Sequence, residues 1–182
     1  MAASITDEPQ TTDAWRRGAD GEARAAEKLE RRLKGTGVVL LHDRAIPGTR
    51  RNIDHIAVGP GGVTVIDPKA VKGKVRVERR GGLLSKRTSH LVVGGRDRTK
   101  LVVGVEEQVD VVRRAVGPGV DVRGALCWME VDGLPLLGHL SLRDVAVDGT
   151  KRVAAIASRP GDWDDATIEA VARALAAGFP SR

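Results

Sequence analysis

Two aspartates and a lysine flank the break Gly-Pro-Gly-Gly at 59–62, which separates two β-rich runs of the chain. Such a break predicts a hairpin with a four-residue loop. An antiparallel register across that loop places Asp54 opposite Asp67. Because side chains alternate along a strand, Lys69 returns to the same face as Asp67. The spacing therefore predicts an acid, a facing acid and a lysine at the open end of one hairpin.

Directly opposed cross-strand carboxylates repel each other, with Cβ atoms roughly 5 Å apart. A raised pKa on one acid, a bridging divalent ion, or Lys69 alone as counter-ion would each relieve the repulsion. Mg²⁺, with Mn²⁺ as the alternative ion, suits the second case because it binds through one or two carboxylates and keeps positions for water and phosphate oxygens. That arrangement is typical of metal-assisted phosphodiester cleavage. The ordinary alternative is three solvated residues near strand ends.

The hairpin itself is predicted to be a central strand pair. Its register sets Val58 opposite Val63, and apolar residues dominate both of its faces. Acids are costly in such surroundings, which favours a functional reason for the two aspartates. Pro68 cannot donate to a strand ladder, so we expect it to bend or end the second strand just before the lysine.

The 182 residues fit one domain, expected at 13–182 behind a flexible polar tail at 1–12. The single cysteine, Cys127, excludes an intramolecular disulfide and a cysteine-rich zinc site, and its apolar neighbours predict a buried strand thiol. The N-terminus has no signal pattern, and no apolar run approaches the roughly 18 residues of a membrane helix. We therefore expect a cytoplasmic protein without membrane association, and the sequence leaves the oligomeric state open.

Positive charge is concentrated directly after the two acids. The chain carries a net charge of +6, but the stretch 69–100, here called the basic block, holds eleven Lys and Arg against two acids and carries +9. This placement predicts contact with a phosphate backbone, the alternative being a solvated face. The block has no aromatic residue, which disfavours single-strand binding by base stacking. The candidate backbone contacts are Lys72, Lys74, Arg76, Arg96, Arg98 and Lys100.

Two helices are expected to carry further polar groups toward the core or the site. The first runs from Asp13 to about Lys34 and holds Glu22 on its inward stripe, where the carboxylate either profits from the helix dipole or points at the same cation. The second is expected over 101–116 and holds Gln108 on its inward stripe. The ordinary role of such a glutamine is a core amide satisfied by backbone groups.

The other elements complete an α/β layer with a mixed sheet and a basic β-insert. The expected strands are 38–41, 74–78, 91–93, 122–131 and 144–147, with a loop at 42–52, a helical turn at 151–157 and a final helix that Asp164 or Asp165 caps.

Four ordered pieces of this pattern resemble the nuclease-related domain, NERD. They are Gly18-Ala19-Asp20-Gly21-Glu22, the run 52–60, the run 62–69 with Gly73 after it, and Gln108 on the later helix. The resemblance covers roughly 15–128. NERD is placed in the PD-(D/E)xK superfamily, so the resemblance implies a restriction-endonuclease-like core with helices flanking a central mixed sheet.

The resemblance also implies roles for individual residues. Asp54 and Asp67 would be metal ligands, with Glu22 as an accessory ligand. Lys69 would stabilise charge or orient the attacking water, and Gln108 would support the ligands or position the substrate. The implied activity is Mg²⁺-dependent hydrolysis of DNA, which is held through the basic block. The alternative is a catalytically inactive DNA-binding or DNA-associated accessory domain that keeps the basic block.

Overall fold

The computed structural model describes residues 23–70, 73–82, 87–129, 134 and 140–182. Within them, four helices and nine strands follow one another along the chain. They are α1 (23–33), β1 (Val39–Ala45), β2 (Asn52–Gly59), β3 (Gly62–Lys69), β4 (Val75–Arg80), β5 (Thr88–Val93), β6 (Arg96–Asp97), α2 (Thr99–Val116), β7 (Val122–Trp128), β8 (Leu140–Leu142), β9 (Val145–Gly149), α3 (Thr150–Ala157) and α4 (Asp165–Gly178).

Six strands form a central mixed sheet in the order β1-β2-β3-β7-β9-β8. The pairs β1–β2, β2–β3 and β8–β9 are antiparallel, whereas β3–β7 and β7–β9 are parallel. The predicted hairpin and its register are confirmed: β2 and β3 lie inside the sheet, and Val58 stands opposite Val63. The predicted four-residue loop is wrong, because Gly59 and Gly62 also pair and only residues 60 and 61 connect the strands. The sheet and its helices form the restriction-endonuclease-like α/β core that the sequence predicts.

Helices cover both faces of this sheet. On one face, α1 and α3 bury a cluster that includes Leu29, Leu33, Ile66, Ala125, Cys127, Val153 and Ala157. On the other face, α2 and α4 bury a larger cluster that includes Ile56, Val65, Val105, Val112, Leu126, Ile168 and Leu175. A Cβ at Gly124 of β7 would lie 2.6 Å from a methyl carbon of Val105, so the missing side chain lets α2 approach the sheet closely.

The predicted β-insert is a separate antiparallel sheet of β4, β5 and β6. Its inner residues Val75, Leu91 and Val93 are buried in the same cluster as α2. Its exposed side chains form ion pairs: Glu78 contacts Arg76 at 2.6 Å and Arg80 at 3.2 Å. Much of the basic charge on this sheet is therefore neutralised locally.

The boundaries of β1 differ from the prediction. The sequence predicts a strand that ends at Leu41 and a loop over 42–52, but β1 continues to Ala45. The extra residues are polar because their contacts lie outside the apolar core. His42 pairs with His55, and Arg44 forms a β-bridge with Ser181 near the C-terminal end of the sequence. A polar run therefore concealed an edge strand.

Other boundaries differ less. β7 ends at Trp128, β8 was not predicted, and the expected turn at 151–157 is the helix α3. The Asp164 carboxylate accepts a hydrogen bond from Thr167 N–H at 2.8 Å, which identifies Asp164 as the N-cap of α4 and lowers its pKa. None of the helices formed by the described residues combines the length and apolar character needed to cross a bilayer. The expected tail and the first part of the first helix, residues 1–22, lie outside the described residues.

Candidate active site

The two aspartates lie at the open end of the β2–β3 hairpin. The antiparallel ladder ends one step short of Asp54 and Asp67, and the same register continued by one residue sets them opposite each other. Each acid lies two residues from the buried pair Ile56–Val65, so alternation puts both side chains on the face that α2 covers. Asp67 is 8% exposed, whereas Asp54 is half-buried.

Lys69 contacts the nearer acid directly. Its ammonium nitrogen forms an ion pair with Oδ1 of Asp67, and the lysine side chain is 23% exposed. The spacing of two residues along one strand produces this contact, as the sequence predicts. The pair places one positive charge beside the two carboxylates, within a mostly buried part of the sheet.

Pro68 does not end β3, so the expectation that the strand could stop before the lysine is wrong. β3 continues to Lys69, and Pro68 stands beside Cys127 of β7. The Lys69 carbonyl accepts a hydrogen bond from Met129 N–H at 3.2 Å on the β7 side. Backbone groups of successive residues point to opposite neighbours, so those of Pro68 face β2, beyond the end of the β2–β3 ladder. The missing N–H of proline therefore removes no bond to β7.

Gln108 reaches the strand that carries Asp54. Its side-chain nitrogen donates to the backbone carbonyl of Asn52 at 3.4 Å. This contact matches the expectation of an amide satisfied by a backbone group. Its Oε1 atom, however, is buried without a hydrogen-bond partner among the described residues. Gln108 thus ties α2 to the strand that carries Asp54.

A third aspartate lies in the same row, and the sequence did not reveal it. The β1–β2 register sets Asp43 opposite Asp54, between the pairs His42–His55 and Arg44–Ile53. Asp43 has φ of 44°, a left-handed conformation that aspartate tolerates better than most residues. The Asn52 side-chain nitrogen donates to Asp43 at 2.7 Å and lies 3.5 Å from Asp54. Correct placement of β1 would have revealed this row from the register alone.

Glu22 and Lys72 lie outside the described residues, so the structure does not place them. Within the described part of the chain, no three His, Cys, Asp or Glu side chains come close enough together to hold a metal ion. The described carboxylates at the site are therefore Asp54 and Asp67, with Asp43 beside them.

The opposite face of the sheet carries a histidine pair. His55 points away from Asp54, as alternation predicts, and its Nδ1 lies 3.0 Å from Nδ1 of His42. Nε2 of His42 lies 3.0 Å from Oε1 of Glu30 in α1. Burial, and next the charge of His42, lower the pKa of His55 to about 4. His55 is thus a neutral core residue near pH 7.

The candidate DNA-contacting residues are in different environments. Lys74, Arg96 and Lys100 are exposed and have no ion-pair partner among the described residues. Arg76 is exposed but pairs with Glu78. Arg98 directly precedes α2 and is half-buried, with its Nε buried and without a hydrogen-bond partner in the described part of the chain.

The sheet order, the flanking helices and the acids at adjacent strand ends define a restriction-endonuclease-like domain. A search against protein-family profiles matches residues 17–129 to NERD, the nuclease-related domain. The match spans more than half of the chain, and the chain belongs to the NERD family, consistent with membership of the PD-(D/E)xK superfamily. Searches of curated proteins and of solved structures gave no match. The family indicates a nuclease-related function.

Proposed function

We propose that the protein is a Mg²⁺-dependent nuclease that hydrolyses DNA phosphodiester bonds. The observation that carries the proposal is the placement of Asp54 and Asp67 at the adjacent ends of β2 and β3, on one face, with Lys69 paired to Asp67. Two carboxylates and an ammonium in one partly buried place serve no evident packing purpose, because buried acids cost stability unless something compensates them.

The residues present fit a magnesium ion, with Mn²⁺ as the alternative. Mg²⁺ takes oxygen ligands and needs only one or two protein carboxylates, which Asp54 and Asp67 supply. The buried Oε1 of Gln108, without a partner among the described residues, is a further oxygen close to β2. Glu22 would add a third carboxylate from the first helix. When bound, the ion would supply Lewis-acid activation of the phosphate and of the attacking water.

The chain's own groups would then divide the work of hydrolysis. Water attacks phosphorus while the bond to the 3′ oxygen breaks, which leaves the 5′-phosphate and 3′-hydroxyl ends that the superfamily resemblance implies. The Lys69 ammonium lies where it can offset negative charge that develops on the phosphoryl oxygens. Asp67 holds Lys69 in that place through their ion pair.

Gln108 would act by position. Its hydrogen bond to Asn52 fixes the start of β2 two residues before Asp54. Its buried Oε1, which has no partner among the described residues, can orient a water or a substrate hydroxyl. The exposed side chains of Lys74, Arg96 and Lys100, which have no ion-pair partner among the described residues, would hold the DNA backbone. Lys72, Arg76 and Arg98 would be further contacts.

Supercoiled plasmid tests the proposal directly. The full chain should nick or linearise it in Mg²⁺ and leave it intact in chelator. Asp54→Asn should reduce cleavage at least about 100-fold, because it removes one charged ligand while keeping the shape of the side chain. Asp110→Asn, on the exposed surface of α2, is the matched control and should cleave as the wild type does.

Equal plasmid integrity in all of these reactions would overturn the enzymatic proposal. If the protein then still shifts labelled DNA in a binding assay, the accessory DNA-binding domain takes its place. Cleavage that persists in Asp54→Asn would instead reject the assignment of Asp54.

A further inference from the structure

A second basic surface lies between α1 and α3, on the sheet face opposite to Asp54 and Asp67. It is a groove of about 610 Å³, here called the α1–α3 groove. Its charged lining residues, among those the structure describes, are all basic: Lys28, Arg31 and Arg32 of α1 and Lys151 of α3. Small residues of α3 form the rest of the lining. The lining is therefore positive throughout its described part.

Most of this charge has no internal partner. Arg31 pairs with Glu27 at 2.8 Å. Lys28, Arg32 and Lys151, in contrast, form no ion pair with any described residue. Like charges gathered in one groove repel each other, and a bound anion offsets that repulsion. The groove thus has the electrostatics of an anion-binding site.

The spacing of the basic side chains favours a ligand with several anionic groups in a row over a single ion. Lys28, Arg31 and Arg32 are three and four residues apart, so they share one face of α1. Positions 28 and 32 are separated by about 6 Å along the helix axis. Successive phosphates of one DNA strand rise about 3.4 Å each, so this length corresponds to about two phosphates.

The groove begins close to the candidate active site. Lys69, Trp128 and Gly149 stand in one row across β3, β7 and β9. Two strand spacings separate the ends of that row, which places Gly149 about 10 Å from Lys69. α3 starts at the next residue, and Lys151 lies in its first turn. A strand that leaves the site over this end of the sheet reaches Lys151 first.

The thiol of Cys127 gives independent evidence that the two regions are close. Burial and, after it, the charges of Asp148 and Asp67 raise the pKa of Cys127 to about 12, whereas the charges of Arg32 and Lys28 act in the opposite direction. The Cys127 sulfur is therefore within electrostatic range of Asp67 in the candidate active site and of the basic side chains Lys28 and Arg32 in the groove. The groove and the site belong to the same end of the domain.

From this geometry we infer that the α1–α3 groove binds the phosphodiester backbone of DNA that extends beyond the active site. The inference rests on the proposed function for its substrate. It adds a second contact surface to the one in the basic block, so that DNA passes over the end of the sheet and touches both helical layers.

DNA binding without cleavage tests the groove. Fluorescence anisotropy with a labelled duplex, in chelator, would compare the full chain with Lys28→Gln/Lys151→Gln, which removes charge but keeps the aliphatic stems. Arg114→Gln/Arg173→Gln removes the same charge outside the groove and is the matched control. Between about 50 and 200 mM salt, the groove variant should lower the slope of log K against log salt by about 2. Its affinity should fall about tenfold or more at the lower salt concentration.

Each outcome decides the inference. A slope and affinity equal to those of the control variant overturn it, and so does tighter binding to anionic phosphatidylserine vesicles than to DNA. Lys28→Arg/Lys151→Arg should restore binding, which separates lost charge from misfolding. The plasmid assay judges the nuclease proposal separately. If the groove variant loses DNA binding but the wild type does not cleave plasmid, only the nuclease proposal is rejected. If the wild type cleaves plasmid but the groove variant binds DNA normally, only the groove inference is rejected.

Discussion

The side-chain amide of Gln108 donates to the backbone carbonyl of Asn52, which joins α2 to the strand that carries Asp54. Gln108→Ala removes this link without changing any charge. We expect the Mg²⁺ concentration at half-maximal cleavage to rise and the DNA dissociation constant to stay unchanged, because the acid loses its support while the basic surface is intact. Single-turnover cleavage across a Mg²⁺ titration measures the shift. Asp110→Ala, two residues further along α2 and exposed, is the control, and an equal effect there would refute a positioning role.

Lys69 can be tested through stability as well as activity. Lys69→Met leaves the 8% exposed Asp67 without its ion-pair partner, so the free energy of unfolding should fall on the order of 1–3 kcal/mol. Mg²⁺ should restore more stability to this variant than to the wild type, because an ion between the two carboxylates would replace the positive charge that the variant has lost. Urea unfolding with and without Mg²⁺ measures both effects. The exposed Lys74→Met serves as control, and an absent Mg²⁺ response in Lys69→Met would count against the metal site.

Pro68 should be replaceable despite its position between the acid and the lysine. Since its backbone groups face β2 beyond the ladder, Pro68→Ala breaks no strand bond and should destabilise the fold by less than about 1 kcal/mol. Cleavage should persist. Val65→Pro is the contrasting variant: residue 65 lies within both ladders, so proline there should cost about 3 kcal/mol or more. Similar losses in the two variants, measured by urea unfolding, would contradict this account of β3.

Acid should destabilise the fold through His55. Its pKa is lowered from 6.5 to about 4 in the folded chain, so the unfolded chain binds the proton first as pH falls. The contribution of His55 to the free energy of unfolding should be constant above about pH 6.5. Between pH 6.5 and 4 it should lower the free energy of unfolding by up to about 3 kcal/mol. Urea unfolding at pH 7 and about pH 4.5 measures the loss.

His55→Gln provides the comparison for that experiment, because carboxylates titrate in both proteins and their contribution cancels. The variant should lose less stability over the same pH interval. An identical pH dependence would mean that His42 and Glu30, rather than His55, determine the response on this face.

The sequence predicted those parts of the fold in which a local pattern decides the structure. The glycine-rich break at 59–62 with apolar runs on both sides predicted the hairpin and its register, and hence the opposition of Asp54 and Asp67, although Gly59 and Gly62 themselves pair. The spacing of two residues determined the Lys69 contact. Residue type also limited the N-cap of the last helix to Asp164 or Asp165, and the hydrogen bond from Thr167 N–H identifies Asp164.

Tertiary context decided the rest. The second half of β1 looked like a loop because His42, Asp43 and Arg44 are polar, and their partners are distant in sequence. The row that joins Asp43 to Asp54 was concealed for the same reason. The sequence could not show that Lys28 and Lys151 line one groove. A run of charge along the chain reveals residues that are neighbours in sequence, whereas these two lie on different helices.

The β2–β3 ladder ends at the pair before the two acids, and this affects which divalent ions the site would accept. The two acids stand one step beyond the last pair, His55–Ile66, and the proline that follows cannot donate a hydrogen bond across to β2. Their carboxylates can therefore move apart or together with the ionic radius of the cation. Discrimination among divalent ions then depends on how far the strand ends bend, and ions of unequal size should compete for this site more evenly than they would for a rigid cage.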